Sequence, residues 1–175
     1  MSAQGKLNKK SKHYNFPIHL QQHDNTCGPA CIAMIAEWAT GLPQSEYEWC
    51  RRIKPDENGI LPKKLEEELK KFEGSNVLPI SRKKLSNIQE LNATDLIFDE
   101  NSVYLVLIDS FTIEAKNVGH WMVLVDSINK KNHNKGRCVV IYADPLENRL
   151  QAWDWDSMKA AKICNLYRIT RRKMP

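Results

Sequence analysis

The chain has 175 residues, of which 42% are hydrophobic and 27% are charged, with 7 glycines and 8 prolines. This composition is typical of one globular domain and excludes collagen-like and wholly disordered chains. The net charge of +5 comes from the ends, where seven of the 26 basic residues lie without an acidic neighbour, which leaves 19 basic against 21 acidic residues in the body of the chain. The body is therefore slightly acidic, which argues against nucleic acid as its partner.

The first half of the chain predicts three helices. In the run CGPACIAMIAEWATG, Pro29 suits a first helical turn, apolar residues recur at helical spacing, and Gly41 ends the pattern. We expect this run to form a buried amphipathic helix that begins near Cys27. Ser45 and Glu48 have the spacing of a capping box and predict a short second helix. Leucines four residues apart predict a third helix, over 61–72.

The second half of the chain changes to short β-rich runs separated by polar connections. We expect a short helix over 154–163, a hairpin loop at 129–136, and strands at Asn76–Ile80, Val103–Asp109, His120–Asp126, Cys138–Ala143, Arg149–Trp153 and Leu166–Thr170. Strands that follow one another without helical crossovers indicate an antiparallel sheet. A helical layer packed on such a sheet makes an α+β domain.

The chain contains no internal repeat, low-complexity tract or Gly/Ser linker. We therefore predict a single domain over 14–170, flanked by a flexible basic N-terminal arm at 1–13 and a basic C-terminal tail at 171–175. No apolar run approaches the roughly 20 residues that span a bilayer, so we predict neither a membrane span nor a secretory signal. We expect synthesis in the cytoplasm, with any export as an effector following a route that needs no cleavable signal.

The five cysteines are odd in number and irregularly spaced, so they do not predict a disulfide framework. Cys138 and Cys164 lie in apolar surroundings, and we expect both to be buried core thiols. Cys27 differs, because it stands where a helix begins. Unpaired backbone N–H groups and the helix dipole favour a thiolate at such a position, although any small residue could also pack there. On this argument Gly28 would leave room for a substrate backbone beside the sulfur.

A nucleophilic thiol needs a base, an acceptor that orients the base, and a donor for the oxyanion. His120 follows a glycine at the start of an apolar strand and is a better candidate for the base than the other histidines, which fall in polar segments. Asp144 ends the strand CVVIYA before Pro145 and is the candidate acceptor, although Asp-Pro is also a common turn former. Gln21, with Gln22 as the competing choice, is the candidate oxyanion donor.

These residues together resemble a known family. The string Gln21, Cys27, Gly28, Pro29 and Ala30, followed by GHWMVLVD and YADP, is similar to the papain-like cysteine peptidases, and specifically to the C39-type peptidase domain of bacteriocin-processing exporters. Members of that family have a glutamine shortly before a Cys-Gly pair that opens a helix, a histidine at the head of an apolar strand, and a later Asp-Pro pair. The resemblance spans about residues 16 to 170.

The resemblance implies a papain-like α+β fold, in which the helix that carries the nucleophile packs on a C-terminal antiparallel sheet. It also implies Cys27 as nucleophile, His120 as general base and acid, Asp144 as orienting residue and Gln21 as oxyanion donor. The exporters join this domain to a transmembrane region and an ATPase, whereas this chain has neither, so we expect a stand-alone version. Cleavage after a double glycine is not implied for such a version.

The predicted function is hydrolysis of a peptide bond in a peptide or protein substrate through an acyl thioester. One alternative is a toxin or effector that deamidates or transamidates glutamine side chains through the same intermediate, with an immunity protein or a secretion apparatus as its partner. The second alternative is a non-catalytic peptide-binding module, whose groove Trp121, Trp153 and Trp155 could line, although the core of the sheet is the commoner place for such residues.

No cofactor or metal is predicted. His19 and His23 are four residues apart, as are Cys27 and Cys31, so these four residues are candidate zinc ligands by type and spacing. Pro29 and the apolar periodicity after it put both cysteines in one helix, which does not suit a zinc knuckle.

Overall fold

The computed structural model describes residues 15–113, 116–130 and 137–172. Its helices and strands, in chain order, are α1 (Cys27–Thr40), α2 (Glu46–Ile53), α3 (Pro62–Lys70), β1 (Ile80–Lys84), β2 (Ser102–Ile113), β3 (Lys116–Lys130), β4 (Arg137–Ala143), β5 (Gln151–Asp154), α4 (Trp155–Ala160) and β6 (Ile163–Arg171). Two short 3₁₀ turns, Ile88–Glu90 and Ala93–Asp95, precede β2. No helix among these residues is long and apolar enough to cross a membrane.

The described strands form one antiparallel sheet in the order β1-β6-β2-β3-β4-β5. Sequential strands are neighbours from β2 to β5, which agrees with the predicted absence of helical crossovers. The last strand, β6, returns to lie between β1 and β2. The helical first half and the antiparallel second half together make the α+β domain that the sequence predicted.

Side chains alternate between the two faces of the sheet. In β2, Val103, Leu105 and Leu107 belong to the core cluster that contains α1, α2 and α3, whereas Tyr104 and Val106 belong to a second cluster. The second cluster lies under the 3₁₀ turns and α4 and includes Trp155 and Met158. The sheet is therefore covered on both faces, and α1 lies on the face that positions the candidate site.

Helix α1 follows its sequence signals closely. It begins at Cys27, one turn before the apolar run, and ends at Gly41, whose φ of 69° is the left-handed conformation that glycine adopts without strain. All residues from Cys27 to Ala36 are buried. The predicted central helix is confirmed.

Several other predictions need correction. The strand expected at Asn76–Ile80 is wrong, because β1 begins only at Ile80, where pairing with β6 starts. Strand β3 begins at Lys116, so His120 lies inside the strand and not at its head. The second helix forms, but the Ser45 side chain makes no capping hydrogen bond within the described part of the chain.

Three predicted regions lie wholly or partly outside the described residues. The basic N-terminal arm lies outside the described residues, as do residues 131–136 of the expected hairpin loop and residues 173–175 of the C-terminal tail. Arg171, the first residue of that tail, pairs with Ile80 as the last residue of β6.

The expectation of two buried core thiols is also wrong. All five cysteines are free, but Cys164 is exposed and Cys138 is only partly buried. In β6, Cys164 is exposed, whereas Ile163 and Asn165 on either side of it are buried. The pairing of β6 with β2 shifts register here, since Leu107 pairs with Asn165 and Ile108 with Ile163, so Cys164 falls in a β-bulge. The composition of the surrounding residues does not reveal such a bulge.

Candidate active site

The site is built around the start of α1. Cys27 is the first helical residue and is 5% exposed, and Thr26 immediately before it is also buried. The Ala30 N–H bonds to the Thr26 carbonyl at 3.0 Å, which closes the first turn around Cys27. The first turn contains no acidic residue, so its unpaired backbone N–H groups face no competing negative side chain on the helix.

His120 lies between Cys27 and Asp144. Its Nε2 is 2.7 Å from Asp144 Oδ1, and its side chain is also hydrogen-bonded to that of Cys27. Because Nε2 faces Asp144, Nδ1 is the ring nitrogen left for the cysteine. Both members of the His120–Asp144 pair are deeply buried, at 2% and 4% exposure.

The pKa of His120 is raised to about 9. Burial acts to lower this pKa, but the hydrogen bonds that the ring makes to Asp144 and Cys27, together with the charges of those two groups, outweigh burial and favour the protonated ring. At neutral pH the imidazole is therefore an imidazolium held between a carboxylate and a sulfur.

The turn after β4 holds Asp144 in place. Pairing of β3 with β4 runs as far as Val123 and Ala143, so Asp144 follows directly where the strand ends. The Leu146 N–H donates to Asp144 Oδ1 at 2.9 Å, and the Glu147 N–H donates to the Asp144 carbonyl at 2.9 Å. The predicted turn at Asp144 and Pro145 is present, and it orients the same carboxylate oxygen that contacts His120.

The backbone of Gln21 is hydrogen-bonded to the turn that carries Asp144. Its N–H donates to the Pro145 carbonyl at 2.9 Å, which ties it to the turn that carries Asp144. Its side-chain Nε2 donates to the His23 carbonyl at 2.9 Å, and its Oε1 is buried without a hydrogen-bond partner among the described residues. Gln22 differs, since it is exposed and its side chain turns back to the Leu20 carbonyl at 3.3 Å. Gln21 is therefore partly buried and bonded to the turn of Asp144, whereas Gln22 is exposed.

Gly28 has a different role from the one expected. A Cβ at this position would lie 2.5 Å from Ile60 Cγ2 and 3.4 Å from Trp121 Cδ1, so protein side chains, and not a substrate, occupy this space. The Trp121 indole N–H donates to the Ile60 carbonyl at 3.1 Å, which fastens the segment between α2 and α3 beside the start of α1. No local sequence pattern indicates this contact, because its partners are far apart in the chain.

The tryptophans proposed for a peptide groove do not line one together. Trp121 and Trp155 are buried in the two separate cores on opposite faces of the sheet. Trp153 is partly buried against Tyr142, with ring centroids 6.1 Å apart.

The four candidate zinc ligands do not come together as one site in the described structure. His19 Nε2 bonds to Glu37 Oε2 at 2.8 Å, whereas His23 is exposed. Cys31 is fully buried one turn after Cys27, and burial, followed by the charges of Cys27 and Asp144, raises the pKa of its thiol. Within the described residues, no group of three or more His, Cys, Asp or Glu side chains is arranged to hold a metal ion.

Glu46 is a buried acid near the site that sequence reasoning missed. It is the first residue of α2, is 7% exposed, and its Oε1 accepts the Gln22 N–H at 3.3 Å. The capping-box spacing indicates Ser45 and Glu48, which lie on either side of Glu46. A buried glutamate among polar neighbours has no distinctive sequence signal.

Comparison with known proteins defines the fold class. No protein-family model matches the chain, and no curated protein matches it by sequence. The architecture is nevertheless a papain-like α+β fold, as predicted from the sequence.

A solved structure with this fold is the crystal structure of the peptidase domain of Streptococcus ComA, described as a bi-functional ABC transporter involved in a quorum-sensing pathway. The TM-score is 0.60 at 15% sequence identity, and the match covers 90% of this chain and 99% of that domain. At this identity the likeness establishes the fold alone, and at that level it confirms the resemblance to a C39-type peptidase domain.

Proposed function

We propose that this protein is a cysteine peptidase that cleaves a peptide bond through an acyl thioester on Cys27. One observation carries the proposal: the buried imidazole of His120 is hydrogen-bonded to both Cys27 and Asp144 at the start of a helix. In this assignment Cys27 is the nucleophile, His120 the general acid and base, and Asp144 the residue that orients the imidazole. Gln21 is the proposed donor to the oxyanion.

The first half of the reaction forms the thioester. The Cys27 thiolate attacks the substrate carbonyl carbon, a C–S bond forms, and the carbonyl electron pair moves to oxygen. His120, held protonated by the contacts that raise its pKa to about 9, then gives its proton to the nitrogen of the leaving group as the C–N bond breaks. The products of this half are an amine, an acyl thioester and a neutral imidazole.

The second half releases the acid. Neutral His120 takes a proton from water, the resulting hydroxide attacks the thioester carbonyl, and the C–S bond breaks to restore the thiolate and the imidazolium. Each half passes through a tetrahedral oxyanion. The Cys27 backbone N–H at the start of α1 and the Gln21 amide nitrogen are the donors that we assign to it.

A substrate-free measurement tests the Cys27–His120 pair. We would measure alkylation of each cysteine by iodoacetamide at pH 6 by mass spectrometry, in the parent and in His120→Ala. An ordinary thiol with a pKa near 8.5 is less than about 1% thiolate at this pH, so loss of the imidazolium should slow Cys27 by about 100-fold. His23→Ala, which removes an exposed histidine four residues before Cys27 in the chain, is the matched control and should leave the rate unchanged.

The exposed thiol of Cys164 provides the internal reference. If Cys27 reacts no faster than Cys164 in the parent, the nucleophile assignment is wrong. If Cys27 reacts rapidly but equally fast in His120→Ala, the thiol is activated by some other group and the assigned base is wrong.

The product decides the reaction type. Incubation with a peptide library, read by mass spectrometry, should give cut chains with new termini in the parent and none in Cys27→Ala. Intact chains that carry a Gln-to-Glu mass change or an amine adduct would contradict peptide cleavage. Those products would show that the acyl thioester is formed on a glutamine side chain.

A further inference from the structure

The segment that carries Gln21 is held at two consecutive backbone N–H groups by two different parts of the fold. The Gln21 N–H donates to the Pro145 carbonyl at 2.9 Å, beside the turn of Asp144. The Gln22 N–H donates to Glu46 Oε1 at 3.3 Å, at the start of α2. The two bonds run to different layers, one to the end of the sheet and one to the helical layer.

The side chain of Gln21 is also oriented. Its Nε2 donates to the His23 carbonyl, which in turn accepts from both the backbone N–H and the hydroxyl of Thr26, at 3.1 and 2.9 Å. Thr26 immediately precedes Cys27, so this turn fixes the amide relative to the proposed nucleophile. An amide nitrogen has two N–H donors, and the bond to His23 uses one of them.

Glu46 is buried in a way that needs an explanation. A buried carboxyl group is costly unless it is hydrogen-bonded, and no ion pair of Glu46 occurs among the described residues. The partners that the described part of the chain provides are the Gln22 N–H and the thiol of Cys50, one turn further along α2. Burial, followed by the charge of Glu46 and the hydrogen bond to it, raises the pKa of Cys50 to about 12, which keeps that thiol protonated as a donor.

The position at the first residue of α2 also suits an acidic group, because the unpaired N–H groups of a helix start favour negative charge. Glu48, in the same turn, has this advantage as well but is exposed and lies 4.0 Å from Arg52. Glu46 therefore differs from Glu48 in one respect that concerns the site: it bonds to the backbone next to Gln21.

We infer that Glu46 is a positioning residue that acts through the Gln22 backbone to hold the Gln21 amide where it donates to the oxyanion. This inference rests on the proposed function, because it concerns a donor for the same reaction. It assigns a role to Glu46 that is separate from the Cys27–His120 pair. Loss of Glu46 should therefore affect reactions that build an oxyanion and spare reactions that do not.

Two electrophiles separate these effects. In the reaction with p-nitrophenyl acetate, the thiolate attacks the ester carbonyl, an oxyanion forms, and its collapse expels p-nitrophenolate and leaves acetylated Cys27. In the reaction with iodoacetamide, the thiolate displaces iodide from a saturated carbon and no oxyanion forms. Acylation of Cys27 therefore reports the oxyanion donors, and alkylation reports the thiolate in the same protein.

The variants are Gln21→Ala, Glu46→Leu, Glu46→Gln, Glu48→Leu and the double variant of Gln21→Ala with Glu46→Leu. Loss of an oxyanion donor typically costs 100-fold or more, so Gln21→Ala should slow acylation by about 100-fold and alkylation by less than about twofold. Glu46→Leu should slow acylation by about tenfold, through misplacement of the donor. Glu46→Gln keeps an acceptor oxygen and Glu48→Leu is the exposed control, so both should acylate at the parent rate.

The double variant carries the decisive comparison. If Glu46 acts through Gln21, Glu46→Leu should slow acylation no further once Gln21 is alanine, because the donor that it positions is gone. Additive effects would overturn the inference. Equal slowing of acylation and alkylation in Glu46→Leu would also overturn it, since that result indicates general damage to the fold, which circular dichroism would detect independently.

Failure of the proposed function gives a different result. If the parent does not acetylate Cys27 faster than Cys164, the nucleophile assignment is wrong and the inference about Glu46 falls with it. If the parent acetylates rapidly and Gln21→Ala is slow while Glu46→Leu is unaffected, the proposed function stands and the role of Glu46 is refuted.

Discussion

Substitution of Gly28 by alanine should destabilise the protein, although alanine is the better helix former. The added Cβ would lie 2.5 Å from Ile60 Cγ2, whereas ordinary carbon contacts are about 3.5–4.0 Å. Ile60 has little freedom to retreat, since it is 5% exposed and its carbonyl accepts from Trp121 at 3.1 Å. Trp121 is itself 1% exposed and stacked on Tyr167, with ring centroids 6.2 Å apart.

The magnitude follows from two opposing effects. Forcing an extra methyl group into a packed core costs about 1–3 kcal/mol, and an overlap of about 1 Å against a rigid neighbour places this case toward the upper end. The gain in helix propensity from glycine to alanine is at most about 1 kcal/mol. We therefore expect a net loss of about 1–2 kcal/mol in the free energy of unfolding, a shift of about 0.5–1 M in the urea midpoint.

Urea unfolding followed by circular dichroism measures this loss, and two further variants identify its cause. Gly119→Ala is the matched control: its Cβ would meet the end of the Leu107 side chain at 3.2 Å, so it should cost less than Gly28→Ala. Ile60→Ala removes the clashing methyl group, so adding Gly28→Ala to it should cost nothing further. A Gly28→Ala protein as stable as the parent would refute the steric argument.

Three further predictions concern the chemistry of the site. Loss of the imidazolium as pH rises through the His120 pKa removes the general acid, so peptidase activity should fall near pH 9. Asp144→Asn should move this fall in activity to lower pH, because it weakens a contact that raises the His120 pKa. An alkaline limb that stays in place would contradict the role of the carboxylate. Gln21→Ala should lower kcat by about 100-fold, because it removes the proposed oxyanion donor. Gln22→Ala keeps its backbone N–H and should change kcat by less than about twofold. Equal losses in the two variants would argue against Gln21 as the donor. Cys31 is fully buried and its thiol pKa is raised, so it should resist iodoacetamide in the native protein and react only after unfolding. Rapid labelling of the native protein would show that the core around Cys31 opens.

Local signals predicted the elements that depend on local chemistry. Pro29 and Gly41 bound α1 because a proline suits a first turn and a glycine suits the left-handed residue after the last. The start of β1 was missed because residues 76–79 are apolar enough for a strand, and only pairing with β6 decides that the strand begins at Ile80. β-Structure depends on a partner strand, which the local sequence does not contain.

The candidate site shows the same division. Cys27, His120, Asp144 and Gln21 were selected because each residue type suits one task and each lies at the end of a predicted element or shortly before one. The sequence leaves the choice between Gln21 and Gln22 open, since both are glutamines and they stand six and five residues before Cys27. The backbone bond from Gln21 to Pro145 distinguishes them in the structure.

The sequence by itself determined the fold class, the start of the central helix, and which side chains could supply a nucleophile, a base, an orienting acid and an oxyanion donor. These properties follow from residue type and short-range order. Only the tertiary structure decided that the imidazole of His120 contacts both Cys27 and Asp144, that Ile60 fills the space beside Gly28, and that Glu46 holds the backbone next to Gln21. Each of these contacts joins residues more than 20 positions apart, and such contacts exist only once the helical layer packs on the sheet.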